Sequence, residues 1–173
     1  MTLLDAPAFD ERRARRNRMI LWSSVGGFFV LVLAWWLVAG RPVDWPWNWD
    51  SHLFGRMAVN HFMDDLDKGD LKAAYGVWMH DPNWEQHPNE HKPYTFARFE
   101  EDWSPSSPDA EYHQYRSYRI AAARMYGNVL MVAVLLNGAQ QNALDLTWDP
   151  HTRQLSFPPP GVRISTVPFA NVP

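Results

Sequence analysis

The hydrophobic pattern is dominated by an uncharged stretch near the N-terminus, residues 19–39, which reads MILWSSVGGFFVLVLAWWLVA. A helix of about 20 apolar residues, with about 1.5 Å of rise per residue, covers the hydrocarbon core of a bilayer, which is about 30 Å thick. The pattern therefore predicts one membrane-spanning helix, with the rest of the chain outside the bilayer.

Two short helices are predicted after this segment. The spacing of one helical face occurs at Phe54, Met57, Ala58, His61, Phe62 and Leu66. Asp50 or Ser51 can cap this helix. Residues 68–70 interrupt the pattern, and the same spacing returns at Leu71, Ala74, Tyr75, Trp78 and Met79. We therefore expect a helical hairpin whose second helix is capped by Asp70.

A third helix is predicted beyond a polar segment, residues 80–93, that contains three prolines and is typical of a loop. Thr95 can cap this helix, and Phe96, Phe99 and Trp103 share one of its faces. Residues 104–108, Ser-Pro-Ser-Ser-Pro, should end the helix because proline disfavours helical backbone in the residue before it.

From residue 112 onward the pattern changes to that of strands. Gly127 and Asn128 separate a long mixed segment from the apolar run 129–136, which indicates a hairpin. The pair 137–138, Asn-Gly, is a tight-turn signal, and apolar residues then alternate with others over 143–148. Residues 149–152 provide another turn before Leu155 and Phe157. We predict a four-stranded antiparallel meander and an extended Pro-rich tail, residues 158–173.

Helices followed by strands predict an α+β fold: one N-terminal transmembrane helix, then three helices packed on a curved four-stranded antiparallel sheet. Residues 52–157, with the helix-break-helix phrase at 67–78, resemble the nuclear transport factor 2-like superfamily, and cystatin-type relatives are a close alternative. This resemblance implies a cone-shaped sheet around a helical layer. It also implies that an enzyme of this type would place an acid, a histidine or a tyrosine on the inner wall of the cone.

The chain is thus divided into five segments. They are a basic cytoplasmic stub (1–18), a transmembrane helix (19–40), a Trp- and Pro-rich juxtamembrane linker (41–50), the α+β domain (51–157) and the tail (158–173). Five arginines precede the apolar segment, at positions 12, 13, 15, 16 and 18, whereas Arg41 alone follows it closely. The positive-inside rule then places the N-terminus in the cytoplasm of a bacterium and the domain in the periplasm or outside the cell.

A cleaved signal peptide is the competing interpretation, because residues 38–40, Val-Ala-Gly, could form a cleavage site. The apolar stretch exceeds the 7–15 residues or so of a signal-peptide core, and it contains three tryptophans. Both features favour a retained anchor.

Aromatic and small residues indicate contacts of the anchor. Indole rings favour the bilayer interface, which is the predicted position of Trp35, Trp36, Trp45, Trp47 and Trp49. A patch of small residues, Ser23, Gly26 and Gly27, could let another membrane helix approach closely. The bilayer is therefore an expected partner, together with other membrane-protein subunits or a second copy of the chain.

Composition excludes several classes of function. The chain contains no cysteine, so disulfides and thiolate metal sites are absent. Residues 41–173 contain 16 Asp and Glu against 11 Lys and Arg, and no basic surface with interleaved aromatic residues is evident. We expect no nucleic-acid binding.

His61 is the best candidate for a general base, because its spacing places it on the apolar face of the first domain helix. The alternative is a histidine at the edge of the core that hydrogen-bonds to backbone. Asp145 should point to the outer face of its strand, which leaves no paired carboxylate for acid–base catalysis. We therefore assign no catalytic residue.

His80, His87 and His91 form a second cluster together with nearby acids. Two histidines four residues apart can share a metal on a helix, but Pro88 and Pro93 permit only one helical turn here. A solvated loop is the favoured interpretation, and neither a metal nor another cofactor is expected. Phosphate-binding loops, nucleophile elbows and His-Glu-x-x-His helices are also absent from the sequence.

Three hypotheses about function remain open. In the first, the protein is an extracytoplasmic interaction domain, an accessory or assembly subunit of an envelope complex, similar in layout to the type IV secretion inner-membrane assembly component. In the second, it is a tethered small-molecule binder, or a lyase or isomerase, with an aromatic pocket wall that includes Tyr75, Trp78, Trp103 and Tyr118. In the third, a structural domain dimerises through its open sheet face.

Overall fold

A computed structural model describes residues 11–87, 90–106, 115, 117–138 and 143–164. The chain divides into two compact units, Met1–Val38 and Ala39–Pro173, and each is considered by itself.

In the first unit the described residues form one helix, α1, Glu11–Val38. It begins before the uncharged stretch and includes all five N-terminal arginines, and none of its residues is buried. By length and composition it is apolar enough to cross a membrane, although a signal sequence has the same properties. Within the described residues it is the one helix with these properties.

The second unit contains three described α-helices: α2, Trp49–Asp67; α3, Leu71–Met79; and α4, Phe96–Trp103. The predicted caps of the last two are confirmed. The Asp70 carboxylate accepts a hydrogen bond from the Ala73 N–H (3.0 Å), and the Thr95 hydroxyl accepts one from the Arg98 N–H (3.4 Å). The predicted cap of α2 was wrong, since the helix starts earlier and its N-cap, Asn48, makes no side-chain bond.

The buried stripe of α2 also differs from the predicted one. Phe54 and Met57 are 53% and 57% exposed, and His61 is exposed too. The residues that face the core are Trp49, His52, Gly55, Val59, Phe62, Met63 and Asp65. Gly55 explains this rotation, because a Cβ there would lie 2.5 Å from Leu130 Cδ2. The helix turns its glycine toward the sheet, which leaves room for the side chains of Leu130 and Trp148 against the helix backbone.

Four strands form one antiparallel sheet in the order β1-β2-β3-β4. They are β1, Tyr118–Tyr126; β2, Val129–Leu136; β3, Leu144–Trp148; and β4, Leu155–Ser156. The predicted meander and the predicted turn at Gly127 (φ 59°) are confirmed.

The predicted curvature is the part of the fold class that needs correction. The sheet is open, and it is curved only weakly if at all. β4 pairs through two residues, and the register between β1 and β2 shifts once, between Ile120 and Ala122. A short edge strand cannot carry the sheet around the helices, and one irregularity bends it little.

The core lies between the helices and one face of the sheet. Leu130, Val132 and Val134 of β2 pack there beside Leu144 and Leu146 of β3. Aromatic rings fill the helical side: Phe62 lies 5.0 Å from Trp103 and 5.2 Å from Trp78 between ring centroids. Rings of this size bury much of the apolar area of a small domain, which compensates for the absence of disulfides.

The opposite face of the sheet is covered as well. Met131, Ala133, Leu135 and Thr147 are at most 3% exposed. On the same face, Asp145 is half-buried and accepts a hydrogen bond from the backbone N–H of Ile164 in the C-terminal segment, and burial raises the pKa of this carboxyl. Asp145 therefore lies on the outer face of its strand, as predicted, but this face is covered rather than open to solvent. The exposed sheet face assumed for a dimer is already buried within a single chain.

Candidate functional site

A groove of about 490 Å³ runs between α2 and α3 and reaches the turn that joins β3 to β4. We call it the α2–α3 groove. Its lining combines apolar floor residues with charged residues, namely Phe54, Ala58, His61, Asp65, Lys72, Ala73, Gly76, Val77, His80, Pro82, Trp148 and Arg153.

His61 lies at the rim of this groove rather than in the core. Its side chain is 69% exposed, and its Nε2 is 3.7 Å from Asp65 Oδ2. The shifted phase of α2 is the physical reason, because it turns position 61 toward solvent. A base in this position is open to bulk water, so the expectation of a shielded general base was wrong.

Asp65, the acidic residue that lines the groove, has a basic partner. The Asp65 side chain is 8% exposed and lies 3.2 Å from the Lys68 ammonium in addition to its contact with His61. Lys72 is likewise paired, at 2.7 Å from Glu85, and the hydrogen bond to this carboxylate raises the pKa of Lys72. Within the described part of the chain, Arg153 makes no ion pair.

The loop histidines are organised around a carboxylate. His87 Nδ1 and His91 Nε2 lie 2.9 Å and 3.0 Å from the same oxygen, Asp81 Oδ2. These two contacts lower the pKa of Asp81 to about 2, and the hydrogen bond to Asp81 raises the pKa of His87. His80 lies in the groove instead. Among the described residues, no group of three side chains is arranged to hold a metal.

Three of the four aromatic residues suggested as a pocket wall are core residues. Tyr75, Trp78 and Trp103 are at most 4% exposed, and the Tyr75 hydroxyl donates to the Tyr94 carbonyl (2.6 Å). Tyr118 is half-buried, and its hydroxyl donates to the Asp64 carboxylate. Packing against other rings, rather than against a ligand, explains this set, and Trp78 alone also borders a second cavity of about 290 Å³.

The juxtamembrane tryptophans separate into two kinds. Trp45 and Trp47 are 67% and 73% exposed, and their rings stack with centroids 5.1 Å apart. Trp49 is buried, and its indole N–H donates to the Asp44 carbonyl (3.0 Å). It starts α2 and packs within the folded unit, and its predicted position at the membrane interface stays a prediction.

The segment predicted as a linker is fixed to the domain by Asp44. One carboxylate oxygen, Oδ2, lies 2.6 Å from Nε2 of the buried His52 and accepts the Met125 N–H (3.2 Å). Met125 belongs to the edge strand β1, so this contact also covers part of the sheet edge. Residues 44–49 are therefore part of the folded unit.

The small-residue patch of α1 is open. A Cβ added at Gly26 or Gly27 would meet nothing within 4 Å. The Ser24 hydroxyl donates a hydrogen bond to the Ile20 carbonyl (2.8 Å). Ser23 is exposed, and so is Trp35 at 42%. Helix contacts at this patch, and interfacial positions for Trp35 and Trp36, stay predictions.

Sequence reasoning missed Arg153 and Asp65. Arg153 follows a Pro-containing turn that was recognised, but nothing in the sequence shows that this turn reaches the α2–α3 groove. Asp65 could have been found once the phase of α2 was known.

No protein-family model, no curated protein and no solved structure matches this chain.

Proposed function

We propose that this protein is a single-pass membrane protein whose second unit is an extracytoplasmic interaction domain, an accessory or assembly subunit of a cell-envelope complex. The observation that carries the proposal is the exposed apolar surface of α1, which extends over the length of a bilayer. Such a surface is stable only in lipid or against other apolar helices.

The orientation follows from charge. Five arginines lie on the first two turns of α1, before the apolar segment. The positive-inside rule places this end in the cytoplasm, so the second unit lies on the far side of a bacterial inner membrane. A retained anchor of this kind matches the proposed role better than a secreted domain does, because it keeps the domain at the membrane.

The domain supplies contact surface rather than a shielded reaction centre. His61 and His80, which line the α2–α3 groove, are both exposed, and the loop histidines His87 and His91 contact Asp81. Phe54 and Met57 add exposed apolar area on α2. The order of three helices followed by a four-stranded meander supports a relation to the nuclear transport factor 2-like superfamily, which we propose on that ground alone.

Extraction of the intact protein from its native membrane in a mild detergent tests the proposal. Size analysis and mass spectrometry then identify stable companions. Companions that persist through two separation steps support a complex subunit, whereas a single species containing only this chain contradicts that role. A second apolar membrane protein of similar abundance serves as the control for chance co-extraction.

Intact mass decides the anchor question in the same sample. A retained helix gives the full chain, 20.1 kDa, in the membrane fraction after an alkaline wash. A shorter product that begins near Gly40 would show cleavage and contradict the single-pass arrangement. Reporter fusions at either end of the protein then test the orientation.

A further inference from the structure

Two residues of the α2–α3 groove have a left-handed backbone conformation that side-chain-bearing residues rarely adopt. His80 (φ 53°) follows the last turn of α3, and Arg153 (φ 59°) lies between β3 and β4. Glycine is the usual residue at such positions because it has no Cβ to clash with the backbone. Both residues thus lower stability relative to glycine at the same place.

Backbone hydrogen bonds, rather than side-chain contacts, hold both conformations. The Arg153 N–H donates to the Asp149 carbonyl (2.7 Å), and the Asp149 N–H donates to the Gln154 carbonyl (3.1 Å). The His80 N–H donates to the Val77 carbonyl (3.2 Å). Glycine at either position would keep these bonds. The two exposed side chains are therefore not explained by the needs of the fold.

Charge distinguishes Arg153 from the other ionisable residues of the groove. The charge of Asp65 is compensated by Lys68, and that of Lys72 is compensated by Glu85. In the described part of the chain this leaves the Arg153 guanidinium as the uncompensated charge at the groove, with the imidazole of His80 on the same lining. Ala58, Val77 and Trp148 provide apolar contact area.

We propose that the α2–α3 groove binds a segment of a partner protein that presents a carboxylate beside an apolar side chain. The guanidinium of Arg153 holds the carboxylate, His80 adds a second donor, and the apolar floor receives the neighbouring side chain. This inference rests on the proposed function, since it names the surface and chemistry by which the interaction domain would recognise its partner.

The shape of the groove favours a peptide segment over a small free acid. His61 and Lys72 at the rim are 69% and 67% exposed, and Phe54 is 53% exposed. Sites for small molecules usually enclose most of the ligand, whereas an open groove suits one side of a larger chain.

Photocrosslinking of the full chain in detergent tests this inference. The probe is an end-blocked five-residue peptide that carries benzoylphenylalanine next to glutamate, and the control peptides carry glutamine or lysine in place of the glutamate. We expect the acidic peptide to give the highest yield, with crosslinks that mass spectrometry locates on groove residues such as Ala73 and Val77.

Variants at the left-handed positions separate binding from folding. Arg153→Gly and Arg153→Asn suit a positive φ, so we expect a melting temperature equal to or above that of the wild type together with a loss of crosslinking of about threefold to tenfold. His80→Asn should give a smaller loss. Arg124→Gln removes an exposed arginine on β1 and serves as the matched charge control, with no change expected.

Equal yields from the acidic and glutamine peptides, or an unchanged yield in both Arg153 variants, would overturn the inference. Co-extraction separates this result from the proposed function. Companions that remain with Arg153→Gly show a complex subunit that uses another surface and contradict the groove. If the wild type has no companions, the proposed function is wrong, and the peptide selectivity alone decides whether the groove binds acidic segments.

Discussion

Among the described residues, four histidines each contact one aspartate. His52 is buried on Asp44, His61 is exposed near Asp65, and a loop pair shares Asp81, namely His87 and His91. Burial decides what each contact does. The buried contact between His52 and Asp44 joins the juxtamembrane segment to α2. The exposed contact between His61 and Asp65 contributes little to stability, because solvent screens it.

Replacement of His61 by alanine should leave the fold intact. Its side chain is 69% exposed and its contact with Asp65 is long, so we expect a change in unfolding free energy within about 0.5 kcal/mol. Denaturant unfolding of the purified protein measures this change. A loss above about 2 kcal/mol would show that His61 has a structural role that its exposure does not indicate.

Asp81→Asn should destabilise the domain more at pH 5.5 than at pH 8. The pKa of His87 is raised from its ordinary value of 6.5 by Asp81, so the ion pair stabilises fully below that value and the benefit is lost as pH rises through the raised pKa. The pKa of Asp81 is lowered from 3.8 to about 2, so its carboxylate remains charged at both pH values.

Thermal melts at the two pH values check this prediction. The melting temperature of the variant should lie a few degrees below that of the wild type at pH 5.5, with a smaller difference at pH 8. Glu100→Gln, which removes an exposed carboxylate on α4, is the control. A difference that is the same at both pH values would mean that protonation of His87 does not strengthen its contact with Asp81.

At the scale of elements, the close approach of α2 to the sheet organises the domain. Gly55 is buried, and an added Cβ would lie 2.5 Å from Leu130 Cδ2 and 3.1 Å from the Trp148 ring. Both neighbours are buried core residues, so neither can move far without disturbing others. This contact determines which side of α2 faces the core.

Gly55→Ala should therefore destabilise the domain by about 1–2 kcal/mol. Overpacking against the sheet outweighs the gain in helix propensity, which is about 0.5–1 kcal/mol for this substitution. Asn60→Ala, at an exposed position of the same helix, is the matched control and should be neutral or slightly stabilising. Equal behaviour of the two variants in denaturant unfolding would contradict the close approach.

For the whole molecule, the stacked pair Trp45 and Trp47 should lie at the membrane interface. Both rings are exposed, and they follow the end of α1 within nine residues. In vesicles, lipids brominated near the headgroup should quench part of the tryptophan fluorescence. The double variant Trp45→Ser and Trp47→Ser should lose more of this quenching than Trp84→Phe, a replacement within the folded domain. Equal losses would show that the pair faces water.

Local sequence signals predicted the elements well because each rests on neighbouring residues. The caps at Asp70 and Thr95, the turn at Gly127 and strand β3 all appear where expected. The buried side of α2 was predicted less well. Apolar spacing includes Phe54 and Met57, but their burial depends on what lies opposite, and a glycine gives no hydrophobic signal.

The candidate site was mostly beyond the reach of the sequence. His61 was identified, but its surroundings include Lys72 and Arg153, which come from α3 and a turn near the end of the sheet. The histidine loop shows the same limit, since the sequence indicated a solvated loop but not that His87 and His91 both contact Asp81. Long-range packing decides such neighbours, and no local pattern records it.

The sequence by itself determined the apolar helix, the order of helices and strands, and the absence of disulfides, because these depend on composition and on spacing along one chain. Only the tertiary structure decided the phase of α2, the open form of the sheet, the coverage of its second face and the groove that contains Arg153. Each of these depends on which distant surfaces fit together, and the contact at Gly55 is the clearest physical reason.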